Sequence, residues 1–413
     1  MGFLLRVLFI LALIVLFEFY FFRKLIKSIL DLFPGVTRKK LLRARNYSLL
    51  YFNLYPLVAI AVMVYIYANK IRGFSGPESF FFDWLVIYPF WVGLFIIVQS
   101  ILWILPLDIL KWISSFFVKD HKGLRTAFSR ITLALILIFT VYVPARVIYD
   151  YNRVDLREVT HEKKNLDPAL EGFRIALIAD VQADRYTDEK RLERYVDRVN
   201  RSEPDLILIA GDIVTGSPKY IGVAAEKLSA LRAKYGVYSC IGDHDNWAYR
   251  FDTARSVREI TDALLQKNIQ MIDDDTLALT VESKTIGLTF VTNTYVGRIS
   301  PDKLAKLASR GQNSDFRIFL THQPRNYLIE AAVKNRYDLY LAGHTHGGQV
   351  SFLFPFIRLT PTLMETPYVK GDFYFDDMLM VVNRGLGMSI APLRYNSTPE
   401  VTLITLRNKS TNQ

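Results

Sequence analysis

Residues able to do chemistry collect at five places in this 413-residue chain. The densest is Gly343-His344-Thr345-His346-Gly347-Gly348-Gln349, which holds two of the six histidines. In an extended segment two side chains two residues apart point to the same side. His344 and His346 can therefore present neutral ring nitrogens to one cation, and the flanking glycines leave them unshielded. Taken alone, the stretch also reads as an ordinary histidine-containing turn. Four further groups change the balance: Asp180-Val181-Gln182, Gly211-Asp212, Gly242-Asp243-His244-Asp245 and Thr321-His322. Carboxylate, amide and imidazole are the oxygen and nitrogen ligands of divalent cations.

Each group directly follows a short apolar run. Residues 173–179, 205–210, 237–241, 316–320 and 337–342 have the length and composition of buried strands. Helical patterns cover 188–201 and 219–234 between the first three, and 276–281 with 285–292 reads as a hairpin. Strands alternating with helices predict a layered α/β domain. Polar groups at the carboxyl ends of its strands lie where such a domain builds a site. Each group except the last is weak evidence singly; their order and positions carry the inference.

From about residue 173 to 406 the chain resembles the calcineurin-like metallophosphoesterases, whose signature runs Asp-x-His, Gly-Asp, Gly-Asn-His-Asp/Glu, a lone His, then Gly-His-x-His. Its whole architecture is similar to the membrane-anchored phosphodiesterases of the YkuE and YaeI type. Asn383-Arg384-Gly385-Leu386-Gly387, Pro392-Leu393-Arg394 and Pro399-Glu400 resemble that group's C-terminal pattern.

The resemblance implies a four-layer αββα sandwich and two divalent metals about 3.5–4 Å apart. Asp180, Gln182 and His346 would hold one metal, and Asp243, His322 and His344 the other, with Asp212 bridging. Manganese, iron or zinc suits such a ligand set. A hydroxide held between the cations would attack phosphorus in line, and His244, oriented by Asp245, would protonate the leaving oxygen. Gln182 stands where the family has histidine, and Asp243 where it has asparagine. Together the changes leave either a two-metal site shifted toward a harder ion such as Mn or Mg, or one tight metal and one loose one. They also leave open a second reading, a metal-binding or substrate-sensing protein without turnover, against which stands the retention of His244 and Asp245. Asp184 is a substitute ligand or a solvated loop carboxylate.

Arg384 and Arg394 are candidates to hold a substrate phosphate, since a guanidinium offers a planar fork of donors. Trp247 and Tyr249 are read as core or pocket lining, Asp273 to Asp275 as a solvated turn, and the single cysteine, Cys240, as a small core residue. Residues 350–357, Val-Ser-Phe-Leu-Phe-Pro-Phe-Ile, are expected as a core strand; an apolar lip facing a bilayer is the alternative.

Composition separates the two ends of the chain. Residues 1–150 carry 17 Lys plus Arg against 7 Asp plus Glu, while residues 151–413 carry 34 against 33. The nearly neutral C-terminal part argues against nucleic acid as a partner. Four apolar stretches, about 4–22, 49–68, 84–105 and 131–148, approach the length needed to cross a bilayer. The loops after the first and third are rich in Lys and Arg and are expected inside, which places everything after about residue 150 on the outer face. The expected order is a multi-pass transmembrane domain (1–150), a linker (151–172), the metallophosphoesterase domain (173–407) and a disordered tail (408–413). The expected substrate is a phosphodiester or pyrophosphate on an envelope or lipid-linked molecule.

Overall fold

The structure, a computed structural model, describes residues 2–69, 79–249 and 251–409, with the side chains of 2–8 and 67 outside that description. The chain divides into two compact units, residues 1–149 with 351–359, and residues 150–350 with 360–413.

The first unit is helical. It comprises α1 (Gly2–Leu32), α2 (Arg38–Ala68), the single turn α3 (Phe80–Phe82), α4 (Tyr88–Ser114) and α5, which begins at His121 and ends at Asn152. A π-helical turn, Asp83–Ile87, joins α3 to α4. Among the described residues three helices are long and apolar enough to cross a membrane, at 38–66, 80–114 and 121–152. The first expected span falls within α1, part of it on side chains outside the described residues. Polar groups in these helices are matched across them. Tyr20 donates to Asp108 at 2.6 Å, Lys24 pairs with the same carboxylate, and Ser129 donates to Asp31 at 2.8 Å. Phe21, Ile97, Ile101, Ile104 and Ile136 pack the space between α1, α4 and α5.

The second unit stacks two six-stranded sheets between helices. Its strands are β1 (Asp155–Lys163), β2 (Arg174–Ile178), β3 (Leu206–Ile209), β4 (Val237–Cys240), β5 (Ile269–Ile272), β6 (Asp275–Val281), β7 (Lys284–Val291), β8 (Phe316–Thr321) and β9 (Leu339–Ala342). After a hairpin of β10 (Phe352–Phe354) and β11 (Ile357–Leu359) come β12 (Gly371–Phe375), β13 (Met378–Val382) and β14 (Glu400–Asn408). One sheet runs β1-β14-β2-β3-β4-β5, the other β12-β13-β9-β8-β7-β6. Helices α6 (Glu189–Asn200), α7 (Ile221–Leu228) and α8 (Thr253–Leu265) cover the first sheet; α9 (Pro301–Ala308) and α10 (Asn326–Lys334) cover the second. Leu177, Leu208, Leu288, Ile318 and Leu341 meet between the sheets. Both faces of β2, β3, β8 and β9 are therefore buried, which is why their sequences run apolar without alternation. Side-chain caps start the helices cleanly: Asp188 accepts from the Arg191 amide, and Ser300 from the Lys303 amide ahead of Pro301.

Three segments differ from expectation. Residues 151–172, expected as a linker, contain β1, which pairs in parallel with β14 over nine positions. Its alternation of buried and exposed residues is that of an edge strand, and Arg157 ties it to Glu400 and Asp372 at 3.1 and 2.7 Å. Such a long-range partner leaves no local signal. The helix expected over 219–234 is shorter, because Pro218 opens a 3-10 turn and the regular helix ends at Leu228. Residues 350–357 are not a core strand: β10 (Phe352–Phe354) and β11 (Ile357–Leu359) form a two-stranded hairpin within the helical unit. At the C-terminus β14 extends to Asn408, the Lys409 amide donates to the Lys163 carbonyl at 3.0 Å, and residues 410–413 of the expected tail lie outside the described residues.

Candidate metal centre

Asp180 and Gln182 follow β2, Asp212 follows β3, and Asp243 to Asp245 follow β4, all in the first sheet. His322 follows β8, and His344 and His346 follow β9, both in the second. The carboxyl ends of two stacked sheets therefore meet at one point. The backbone there turns sharply: Asp180, Gln182, Asp212, His344 and His346 all have positive φ, between 46° and 71°. Side chains other than glycine are costly in that region and cluster where function demands them. Two glycines make room for the carboxylates. A Cβ on Gly242 would meet Asp212 Oδ1 at 2.2 Å, and one on Gly343 would meet Asp180 Oδ2 at 2.8 Å.

Two sets of ligand atoms lie within 4.8 Å of one another: Asp243, His322 and His344, and Asp180, Asp212 and His322. His346 Nε2 lies 3.5 Å from Asp180 Oδ1. His322 Nδ1 donates to the Ala210 carbonyl at 2.7 Å, which aims its Nε2 between Asp212 and Asp243, at 3.4 and 3.3 Å. That nitrogen and Gln182 Oε1 are both buried without a hydrogen-bond partner. A buried polar atom left unpaired costs about 1–3 kcal/mol. Two such atoms amid four buried carboxylates are the donor set a pair of divalent cations would satisfy, so the residues fit the metals their types imply. Gln182 Nε2 meanwhile donates to Asp212 Oδ2 at 3.1 Å.

Electrostatics point the same way. Burial, with the Asp212 charge beside it, pushes Asp180 up to about 7. Despite burial, the His322 and His344 imidazoles beside it hold Asp243 far below the usual carboxylate range. Burial, strengthened by the Arg394 charge, keeps His346 well below its ordinary value and therefore neutral. Protons and imidazoles stand in for positive charge that this many carboxylates require.

His244 lies outside both ligand sets. Its Nδ1 is hydrogen-bonded to the Thr215 carbonyl and its Nε2 lies 3.3 Å from Ser389 Oγ. The Trp247 ring packs edge-on to it at 4.9 Å and stacks parallel to Tyr295 at 6.5 Å. Cys240 is buried in the core as expected of it.

Three expectations are corrected. Asp245 does not orient the His244 ring. It accepts from the backbone amides of Asp212, Ile213 and Gly242 at 2.7 to 3.0 Å, pinning the β3 and β4 loops together. Arg394 is 2 % exposed and cannot reach a substrate phosphate; it donates to the carbonyls of Gly387, His346, Arg384 and Ser397. Arg384 is committed to Glu400 at 2.5 Å and Asp155 at 3.1 Å. Asp184 is no solvated carboxylate either: it accepts from the Tyr186 and Thr187 amides and from Thr215 Oγ1.

Three neighbours were not foreseen. Gln323 Nε2 donates to both oxygens of Asp243, at 3.0 and 2.8 Å, and the Tyr295 amide donates to Oδ1 at 2.6 Å. Glu365 Oε1 lies 3.0 Å from His344 Nε2 and accepts from Tyr295 Oη at 2.5 Å. The His344 hydrogen bond holds Glu365 down at about 2. Gln323 adjoins His322 in sequence, a signal that was there to be read; Glu365 and Tyr295 carry none.

The family pattern described as calcineurin-like phosphoesterase matches residues 173–348. An uncharacterized metallophosphoesterase of Bacillus subtilis, YkuE, is 31% identical over 264 residues, 63% of this chain and 87% of the relative. The uncharacterized metallophosphoesterase Cj0846 of Campylobacter jejuni is 27% identical over 310 residues, 73% of this chain and 76% of its own. A transmembrane protein with metallophosphoesterase domain from Danio rerio is 27% identical over 300 residues, covering 68% of this chain and 63% of that one. With the two stacked sheets and the aspartate–histidine cluster at their ends, these matches show that the chain belongs to the calcineurin-like metallophosphoesterases and is a metal-dependent phosphoric ester hydrolase.

Proposed function

We propose that the chain is a membrane-held, two-metal hydrolase of a phosphodiester or pyrophosphate borne on an envelope or lipid-linked molecule, with its second unit on the outer face of the cell membrane. The observation that carries the two-metal reading is the pair of ligand groups that share His322. Asp180, Gln182, Asp212 and His346 would hold one divalent cation, and Asp212, Asp243, His322 and His344 the other. Two such cations supply activation of water at neutral pH and neutralisation of charge on the phosphoryl oxygens. The abundance of oxygen ligands favours manganese or magnesium beside iron and zinc.

The chain's own residues do the rest. With Nδ1–H engaged by the Thr215 carbonyl, His244 offers Nε2 to hand a proton to the leaving oxygen. Asp245 acts through the backbone, fixing the loop that carries His244 relative to Asp212. Gln323 spreads the Asp243 charge over two amide hydrogen bonds, taking the part an amide would play in the family's asparagine. Glu365 fixes the His344 ring so that Nδ1 faces Asp243, at 2.9 Å. The membrane reading draws on the three apolar helices and on the transmembrane relatives, and the outward placement on the Lys- and Arg-rich loops after the first and third spans.

The test is turnover of a bis-aryl phosphate by the detergent-purified full chain with added Mn. Chelation should abolish turnover and Mn restore it; metal bound tightly without turnover under any ion would favour the sensing or binding reading instead.

Two further results are expected at this site. Metal affinity should fall as pH drops from 8 to 6, because Asp180 in the metal-free site takes up a proton below about 7 that a cation must displace. One proton displaced corresponds to about tenfold weaker binding per pH unit below that value, measurable by equilibrium dialysis. In Gln182→His an imidazole replaces a weak amide ligand; the Mn occupancy of dialysed protein should rise and its preference move toward zinc. Unchanged occupancy and preference would show that residue 182 is not a ligand.

A further inference from the structure

The β10–β11 hairpin leaves the second unit at Val350 and returns to it at Thr360. Within the helical unit its strand β10 is bonded to α4 rather than left open. Gln99, fully buried, donates through Nε2 to the Leu353 carbonyl at 2.7 Å and accepts from the Leu353 amide at 2.9 Å. Trp103 Nε1 donates to the same carbonyl at 2.9 Å, and the Phe95 and Phe352 rings pack edge-on at 6.1 Å. In water the outward amide and carbonyl of an edge strand need no such partners. Where water is absent every backbone group must be satisfied within the protein, and non-helical backbone survives only if it is.

The depth of this contact follows from the helices themselves. Trp103 meets Phe139 of α5 at 6.2 Å between ring centroids, and Phe139 is at the middle of the apolar run 131–148. At 1.5 Å per residue it is about 13 Å inside the end of that run at Ile148. Gln99 is one turn from Trp103.

The tip of the hairpin adds an independent observation. Phe356 has φ +68°, in a Pro355-Phe356 turn whose second position favours glycine or asparagine. It is fully exposed, and Ile357 beside it is 52 % exposed. Backbone strain spent on holding an apolar ring out in water would gain nothing. Held out into acyl chains the ring is stabilised.

We propose that the β10–β11 hairpin is a re-entrant element sunk to acyl-chain depth in the leaflet at the Ile148 end of α5, with Phe356 and Ile357 against lipid chains. The proposal rests on the reading that α4 and α5 cross a membrane, and it deepens the lipid-linked assignment.

The test is spin labelling of single cysteines in the full chain reconstituted in phosphatidylcholine–phosphatidylglycerol vesicles, with the buried Cys240 replaced by serine. Labels go on Phe356→Cys, on Ile138→Cys of α5 and on Tyr374→Cys of β12, all exposed positions. Collision with oxygen should exceed collision with a water-soluble nickel chelate severalfold at 356 and 138, and the reverse should hold at 374. A nickel-accessible 356 beside an oxygen-favoured 138 would overturn the re-entrant hairpin and leave the membrane reading standing. Nickel access at 138 as well would overturn both.

Discussion

His244→Ala should lower kcat by about 10²–10⁴-fold, the usual contribution of a positioned general acid, while leaving the metal content of the purified protein unchanged. The separation of the two readouts is what makes the result informative. His244 belongs to neither ligand set, and its ring is fixed by the Thr215 carbonyl and the edge of Trp247. Its removal should therefore take away a proton donor and nothing that binds a cation. Substrates with good leaving groups, which need no proton, should lose least; a bis-p-nitrophenyl ester compared with an alkyl ester in the same variant measures this directly. Equal losses on both substrates, or loss of metal with activity, would assign His244 a structural part instead.

Asp212→Asn is expected to be more severe, because this carboxylate faces both halves of the centre. Its Oδ2 lies 3.4 Å from His322 Nε2 and accepts from Gln182, while Oδ1 accepts from the His244 amide at 2.8 Å. An amide keeps the volume and removes the charge that two cations would share. Metal affinity should fall by more than about 10²-fold, beyond the 10–100-fold typical of changes around the ligands, and turnover with it. The fold should persist, since the β3 loop remains pinned by Asp245 through the Asp212 and Ile213 amides. A variant that keeps both metals would show that Asp212 does not bridge them.

The centre was legible in the sequence to the extent that strand ends were. Asp180, Asp212, Asp243, His322, His344 and His346 each follow an apolar run, and the α/β rule places such residues at the carboxyl edge of a sheet. That rule does not say what surrounds them. Glu365 reaches His344 from a loop with no strand pattern that points to the site, and Tyr295 reaches Asp243 through its backbone amide, which no residue type announces, so only the folded chain brings them in. Asp245 was misread because a carboxylate next to a catalytic histidine suggests a side-chain partner, whereas its geometry serves three backbone amides. Arg384 and Arg394 show a related limit: a guanidinium that suits a phosphate suits carbonyls and carboxylates equally well, and here carboxylates occupy Arg384 while burial among carbonyls occupies Arg394.

The same limit held for the fold. The strands β2, β3, β4, β8 and β9 declared themselves as apolar runs, and the β6–β7 hairpin by its spacing. Strand β1 did not, since its register is set by a partner some 245 residues away, Arg157 opposite Thr402. The apolar run over 350–357 could not be told from a core strand by composition. Its partner is Gln99, whose place in the middle of an apolar helix was the available clue, and a buried amide there needs someone to bond.

The central claim is that two cations share one bridged site. The most direct measurement is electron paramagnetic resonance of the chain loaded with Mn to saturation. An exchange-coupled dinuclear signal that disappears in Asp212→Asn is expected. An isolated mononuclear Mn signal at saturation in the unaltered chain would contradict it.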